Sequence, residues 1–128
     1  MIGIGTNIKG AQVIVLGLAF KENCSDLRNS KVAEVVVELK DFGCDVHVHD
    51  PLVEPEQALQ EYGITLSEWG QLPQNADAIV AAISHDEYTT QPVTNLLALL
   101  KPGCVFIDIK SAYSPEAITA AGACLWRL

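Results

Sequence analysis

The chain has 128 residues, 49% of them hydrophobic, which suits one domain with a continuous core. Its formal net charge of −8 repels polyanions, so neither nucleic acid nor an anionic membrane is an expected partner, and any anion bound here must be small and held locally. No apolar run approaches the roughly 20 residues that span a bilayer, and the N-terminus carries neither a basic nor an apolar signal segment, so the expected location is cytoplasmic.

Residues 1–10 show no periodicity. Gly3-Ile4-Gly5 is not a dinucleotide fingerprint, because no strand precedes it and Ile8 occupies the place of the third glycine. These residues read as a surface lead-in, a linker remnant or a cut end, with the domain proper over residues 11–128.

Val13 to Leu16, wholly apolar, predicts a strand covered on both faces and stopped at Gly17. A polar loop follows. Asn29 or Ser30 then caps a helix to about Asp41, with Lys31, Glu34, Glu38 and Asp41 on one face and Val32, Val35, Val36 and Leu39 on the other. Gly43 ends it. Asp45 to His49 alternates as a second strand, broken by Asp50-Pro51.

Glu54 to Tyr62 predicts a helix with Pro55 in its first turn and Gly63 past its end. Ile64 to Trp69 suggests a brief extended piece, and Ala76 to Ile83 a buried strand. Pro92 to Leu100 is the next predicted helix, stopped by Pro102-Gly103, and Val105 to Ile109 the next strand. Pro115 to Ala121 and Ala123 to Arg127 complete the series as helix and strand. Alternation of this kind indicates a single-domain α/β fold: a doubly wound, mostly parallel, Rossmann-like sheet with helices on both faces. Ligands then gather beyond the carboxyl ends of the strands, which places Gly17 to Arg28, Asp50, Ser84 to Glu87 and Lys110 on one edge.

Lys21 and Arg28 flank the loop before a helix N-terminus, where free N–H groups and the helix dipole favour an anion, and together they suit a diphosphate. Pairing of Arg28 with Asp26 or Glu22 on the surface is the structural alternative. Cys24, between the two cations, has no evident base among His47, His49 and His85, so it is not assigned as a nucleophile. His47 and His49 project to one strand face without a third ligand, which reads as an exposed face rather than a metal site.

Cys24, Cys44, Cys104 and Cys124 form no C-x-x-C pair and read as reduced core thiols. Asp50, Ser84 and Lys110, each at a strand end, match a phospho-receiver pattern, but Gly17-Leu18 stands where that pattern needs an acidic pair. Trp69 and Trp126 read as core or interface aromatics.

Taken whole, Gly17-Leu-Ala-Phe-Lys-Glu-Asn-Cys-Ser-Asp-Leu-Arg-Asn-Ser30 resembles the signature opening the C-terminal, UDP-sugar-binding domain of the UDP-glucose/GDP-mannose dehydrogenase family. Further marks follow in the family's order: Val48-His-Asp-Pro51, Ser84-His-Asp-Glu-Tyr88, Phe106-Ile-Asp-Ile-Lys110 and Trp126-Arg-Leu128. The Glu-Asn-Cys loop and the Lys after the fourth strand resemble the branch that oxidises UDP-N-acetylhexosamines. Ser25 departs from the proline usual in that branch.

The resemblance implies the substrate side of an NAD-dependent nucleotide-sugar 6-dehydrogenase that converts a C6 alcohol to a carboxylate. It implies that Phe20 and Lys21 contact the UDP-sugar, that Lys110 stands where the family often has a phosphate-binding Arg, and that Arg28 reaches NAD. Lys110 lacks the bidentate grip of an Arg. The family's cofactor fingerprint and nucleophilic cysteine precede the matched region, so no catalytic residue and no metal ligand is expected in this chain. The implied partners are the N-terminal dinucleotide-binding domain of the same protein and, for the full enzyme, further copies in a homo-oligomer. A stand-alone nucleotide- or phosphate-binding regulatory module is the alternative from a different functional class.

Overall fold

The computed structural model describes residues 10–19, 30–109, 113–120 and 122–127. Strands β1 (Gln12–Leu16), β2 (Asp45–His49), β3 (Ala76–Ala81), β4 (Leu100–Asp108) and β5 (Cys124–Arg127) form one sheet in the order β2-β1-β3-β4-β5. Every neighbouring pair is parallel. A single parallel bridge joins Val48 to Leu66 outside β2. Counted as a vestigial third strand, it makes the order 3-2-1-4-5-6, that of dinucleotide-binding folds, with the chain reversing its direction across the sheet between β1 and β3.

That reversal decides which face each helix covers, since right-handed crossovers that step in opposite directions lie on opposite faces. Helices α1 (Lys31–Asp41) and α2 (Pro55–Tyr62) lay Val32, Ala33, Val36 and Ala58 on Val13, Val15 and Val80. Helices α3 (Asp86–Thr89), α4 (Val93–Leu97) and α5 (Pro115–Ala120) lay Tyr88, Leu96 and Ile118 on Ile14, Leu16, Ile79 and Phe106. Alternate residues of β1 feed the two cores, which is why its sequence is apolar throughout. Among the described residues no helix is long and apolar enough to cross a membrane.

The local signals act as expected at several ends. Ser30 caps α1 by accepting the Ala33 N–H at 3.2 Å. Pro55 opens α2, and Gly63 closes it in the left-handed region at φ +68°.

Other expectations are corrected. The helix predicted to Leu100 stops at Leu97, because Leu99 and Leu100 are claimed by the core and Leu100 pairs with Ala76. Strand β4 therefore starts ahead of Pro102-Gly103: Ala76 faces Leu100 and Ala78 faces Val105, and residues 101–104 fall out of register opposite Asp77. Proline, having no N–H to donate, is tolerated at such an irregularity. Helix α3 carries no apolar periodicity that could announce it. Ile64 to Trp69 is reduced to the Leu66 bridge and a 3-10 turn at Trp69–Gln71. Val35 is exposed, because the buried stripe of α1 centres on Val32, Ala33 and Val36. Of the thiols read as core, Cys44 is buried and Cys104 partly so, but Cys124 on the terminal strand is exposed.

Candidate functional site

At the reversal point the ends of β1, β2 and β3 meet backbone to backbone. The Leu16 carbonyl accepts the N–H groups of Ala82 at 3.1 Å and Ile83 at 3.2 Å, and the Gly17 N–H donates to the His49 carbonyl at 2.7 Å. Gly17 has φ +96°, and a Cβ there would lie 2.5 Å from the Ile83 Cβ. Only glycine fits, on conformation and on space.

The carboxylate of Asp50 lies beneath this junction. Its Oδ2 accepts the Leu18 N–H at 2.7 Å, the Ala19 N–H at 3.0 Å and the His85 Nε2–H at 2.9 Å. Its Oδ1 accepts the Leu52 N–H at 2.8 Å and the Val53 N–H at 3.3 Å. Both side chains of the Asp50–His85 pair are 0% exposed. Burial alone would raise the Asp50 pKa, but the His85 hydrogen bond and the N–H groups of Leu18, Leu52 and Ala19 outweigh it and hold the group below its ordinary value. An ionised carboxylate only accepts, so His85 carries its proton on Nε2.

Ser30 completes the clamp from the helix side. Its Oγ donates to the Leu18 carbonyl at 2.6 Å, and its N–H donates to the Tyr62 hydroxyl at 3.3 Å. The peptide groups of Leu18 are thus held at the N–H by Asp50 and at the carbonyl by Ser30.

His49, expected on an exposed strand face, is packed instead among aromatic rings. It meets Trp69 edge to face with centroids 5.2 Å apart, and its Nδ1 lies 2.7 Å from the Tyr88 hydroxyl. The Tyr88 O–H donates to the His49 carbonyl at 2.9 Å, so His49 Nδ1 must be the donor of the other contact. Burial lowers the His49 pKa, against the pull of Asp50 and with some help from His85. Burial raises that of Tyr88.

At the end of β4, Asp108 accepts the Tyr113 N–H at 3.0 Å. The Tyr113 ring stands edge-on to Phe106, and its buried hydroxyl has no hydrogen-bond partner among the described residues. Burial, with Asp108 adding to it, pushes that phenol up to about 12.

On the α1 face the reversal point opens into a crevice of about 250 Å³, lined by Ala19, Lys31, Val32, Val35, Ile83 and Ile109 among others. Of the residues implicated by sequence, Phe20, Lys21, Cys24, Arg28 and Lys110 lie outside the described residues. Their flanking residues Ala19 and Ile109 are both in the crevice wall. The structure brings together Gly17, Asp50 and His85, and among the described residues it forms no cluster of three His, Cys, Asp or Glu side chains fit for a metal. The Asp50–His85 pair was not foreseen. The only hint is that both follow strands ending on the same edge.

Residues 14–115 match the UDP-glucose/GDP-mannose dehydrogenase family, UDP binding domain. The chain belongs to this family. It is 42% identical over 105 residues to the UDP-N-acetyl-D-glucosamine 6-dehydrogenase of Pseudomonas aeruginosa, covering 81% of this chain and 24% of that protein. It is 37% identical to the enzyme of the same name from Salmonella typhi, covering 91% of this chain and 27% of the relative. Among solved structures, the NDP-N-acetyl-D-galactosaminuronic acid dehydrogenase of Methanosarcina mazei superposes over 98% of this chain and 26% of its own, with a TM-score of 0.83 and 26% identity. The chain therefore spans about a quarter of the length of these relatives.

Proposed function

We propose that this chain is the UDP-sugar-binding domain of an NAD-dependent nucleotide-sugar 6-dehydrogenase acting on a UDP-N-acetylhexosamine. The observation that carries the reading is the match of residues 14–115 to the family's UDP binding domain, within which the sequence from Gly17 to Ser30 holds the cations Lys21 and Arg28. Two cations of different reach, shortly before a helix N-terminus in the sequence, fit an anionic diphosphate.

In this reading Phe20, Lys21 and Lys110 bind the UDP-sugar, and Arg28 reaches across the cleft to NAD. NAD supplies the hydride acceptor when bound, and most of its site belongs to an N-terminal dinucleotide-binding domain of a longer, homo-oligomeric, cytoplasmic enzyme. The chain by itself binds and orients but does not oxidise, and Cys24 is a structural thiol.

The test is an NMR titration of the 128-residue chain with UDP and with UDP-N-acetylglucosamine. Shifts are expected at Ala19, Ser30 and Ile109, and Lys21→Ala should remove most of them. No shift at these residues at millimolar nucleotide overturns the reading. An open reading frame upstream that continues into a dinucleotide-binding domain would support the partner assignment.

A further inference from the structure

We propose that the face of β4 and β5 on the α1 side of the sheet docks an amphipathic helix, supplied by the part of the longer protein that precedes residue 1, with Trp126 as its anchor. This docking rests on the reading that the chain is one domain of a longer enzyme and does not depend on the nucleotide site.

Val48, Val15, Val80, Ile107 and Trp126 stand in register as one row across the α1 side of the sheet. Val48 is 1% exposed, Val15 0% and Val80 6%, whereas Ile107 is only partly buried and Trp126 is 47% exposed. Cys124, two residues earlier on β5 and opposite Val105, is exposed on the same side. Burial fails where the helices stop: among the described residues, every helical residue of this core belongs to α1 or α2. The other side of β5 is covered, since Leu125 packs against the core that holds Phe106 and Ile118.

Parallel sheets are buried on both faces, and a bare edge strand ordinarily carries charge rather than a large apolar ring. Trp126 breaks that habit. The crevice lined by Val35, Val80, Ile83 and Ile109 extends the same apolar surface between α1 and the strands. From β3 to β5 is two strand spacings, about 10 Å, which is the width of one helix.

The winding of the sheet selects which segment can supply that helix. A helix that follows β5 and steps onward in the same direction falls on the α5 side, where the crossovers from β3 to β4 and from β4 to β5 already lie. A helix that precedes β1 is under no such constraint. Running antiparallel to the strands, it ends at the amino edge, where β1 begins at Gln12. This chain covers only about a quarter of its relatives, so the longer protein has chain to provide it. Val35, Ile107 and Trp126 then meet its apolar stripe, with tryptophan in the anchoring role it commonly takes at interfaces.

The experiment compares the 128-residue chain with the longer protein by iodoacetamide alkylation of Cys124, read by peptide mass mapping. Cys124 should react about tenfold or more slowly in the longer protein, and Trp126→Asp there should return most of the lost reactivity. Photoreactive p-benzoylphenylalanine in place of Trp126 should cross-link, within one chain, to the segment before residue 1.

Equal alkylation in the two proteins overturns the proposal, as do cross-links confined to another subunit or to residues after 128. Protection of Cys124 that grows with the concentration of the 128-residue chain makes a second copy the occupant and overturns it too. A reading frame that does not continue upstream overturns it together with the partner assignment. Protection with the expected cross-link supports the docking whatever the UDP titration shows, so the two readings fail separately. If Trp126→Asp does not fold, the alkylation of the parent proteins and the cross-link decide by the same criteria.

Discussion

Asp50 and His85 meet at 2.9 Å with neither side chain reached by solvent, although 35 positions separate them in the chain. The pair ties the segment after β2 to the segment after β3, and through Oδ2 it also holds the segment after β1. Asp50→Ala would leave the Leu18, Ala19 and His85 donors buried without an acceptor. The expected cost is about 3–5 kcal/mol, the range for one partner removed from a buried pair. Urea unfolding of variant and parent chains measures it, and a loss below about 1 kcal/mol, the level of an exposed pair, would show that the carboxylate is not the hub it is taken to be.

Acid should unfold the protein in two stages. His49 is held below its ordinary 6.5 and Asp50 below its ordinary 3.8, so in each case the unfolded chain takes up a proton at higher pH than the folded chain. The His49 contribution is complete above the unfolded value and is lost as pH falls from there through the folded value. The Asp50 contribution is lost in the same sense below its own, lower unfolded value. Urea midpoints should therefore drop between about pH 7 and 5 and again below about pH 4. His49→Gln should flatten the first drop and leave the second. A midpoint that rises on acidification from neutrality would reverse the sign and contradict the burial argument.

Gly17→Ala places a Cβ 2.5 Å from the Ile83 Cβ and 3.0 Å from its backbone nitrogen, at φ +96°. Strain at positive φ and overpacking together should cost about 2–4 kcal/mol. Because the clash is with the Cβ and the main chain, adding Ile83→Val should recover nothing. Thermal or urea midpoints of the single and double variants test this, and recovery in the double variant would place the conflict elsewhere.

The two buried tyrosines of the second core should behave in opposite ways. Tyr88 donates to the His49 carbonyl and accepts from the His49 ring, so Tyr88→Phe should cost about 1–2 kcal/mol. The Tyr113 hydroxyl is buried with no partner among the described residues, so Tyr113→Phe should be neutral or stabilising by up to about 1 kcal/mol. Equal losses in the two variants would mean that the Tyr113 hydroxyl has a partner after all.

For the function itself, Arg28→Ala in the longer enzyme should weaken cofactor or transition-state binding by about 1.5–3 kcal/mol, the range for hydrogen bonds to a charged group. Steady-state kinetics against NAD concentration read it directly. Unchanged kinetics would remove Arg28 from the cofactor site.

Much of the architecture was legible in the residues alone. The apolar run before Gly17 and the alternation in Asp45 to His49 mark parallel strands, and Ser30, Pro55 and Gly63 mark helix ends through local chemistry that needs no partner. The motif from Gly17 to Ser30 identified the family because its residues are contiguous. The short α3 and the early start of β4 were not legible, since four residues carry no period and Leu100 is ambiguous until Ala76 claims it.

The sequence by itself determined the fold class and the family, since periodicity, turn chemistry and motif are properties of neighbouring residues. Only the tertiary structure decided that Asp50, His85, Ser30 and Leu18 form one clamp, that His49 is half-buried among aromatic rings rather than exposed, and that Gly17 admits no side chain. The physical reason is range: these relations join residues brought together by the winding of the sheet, and hydrogen bonds between its strand ends leave no trace in local sequence pattern.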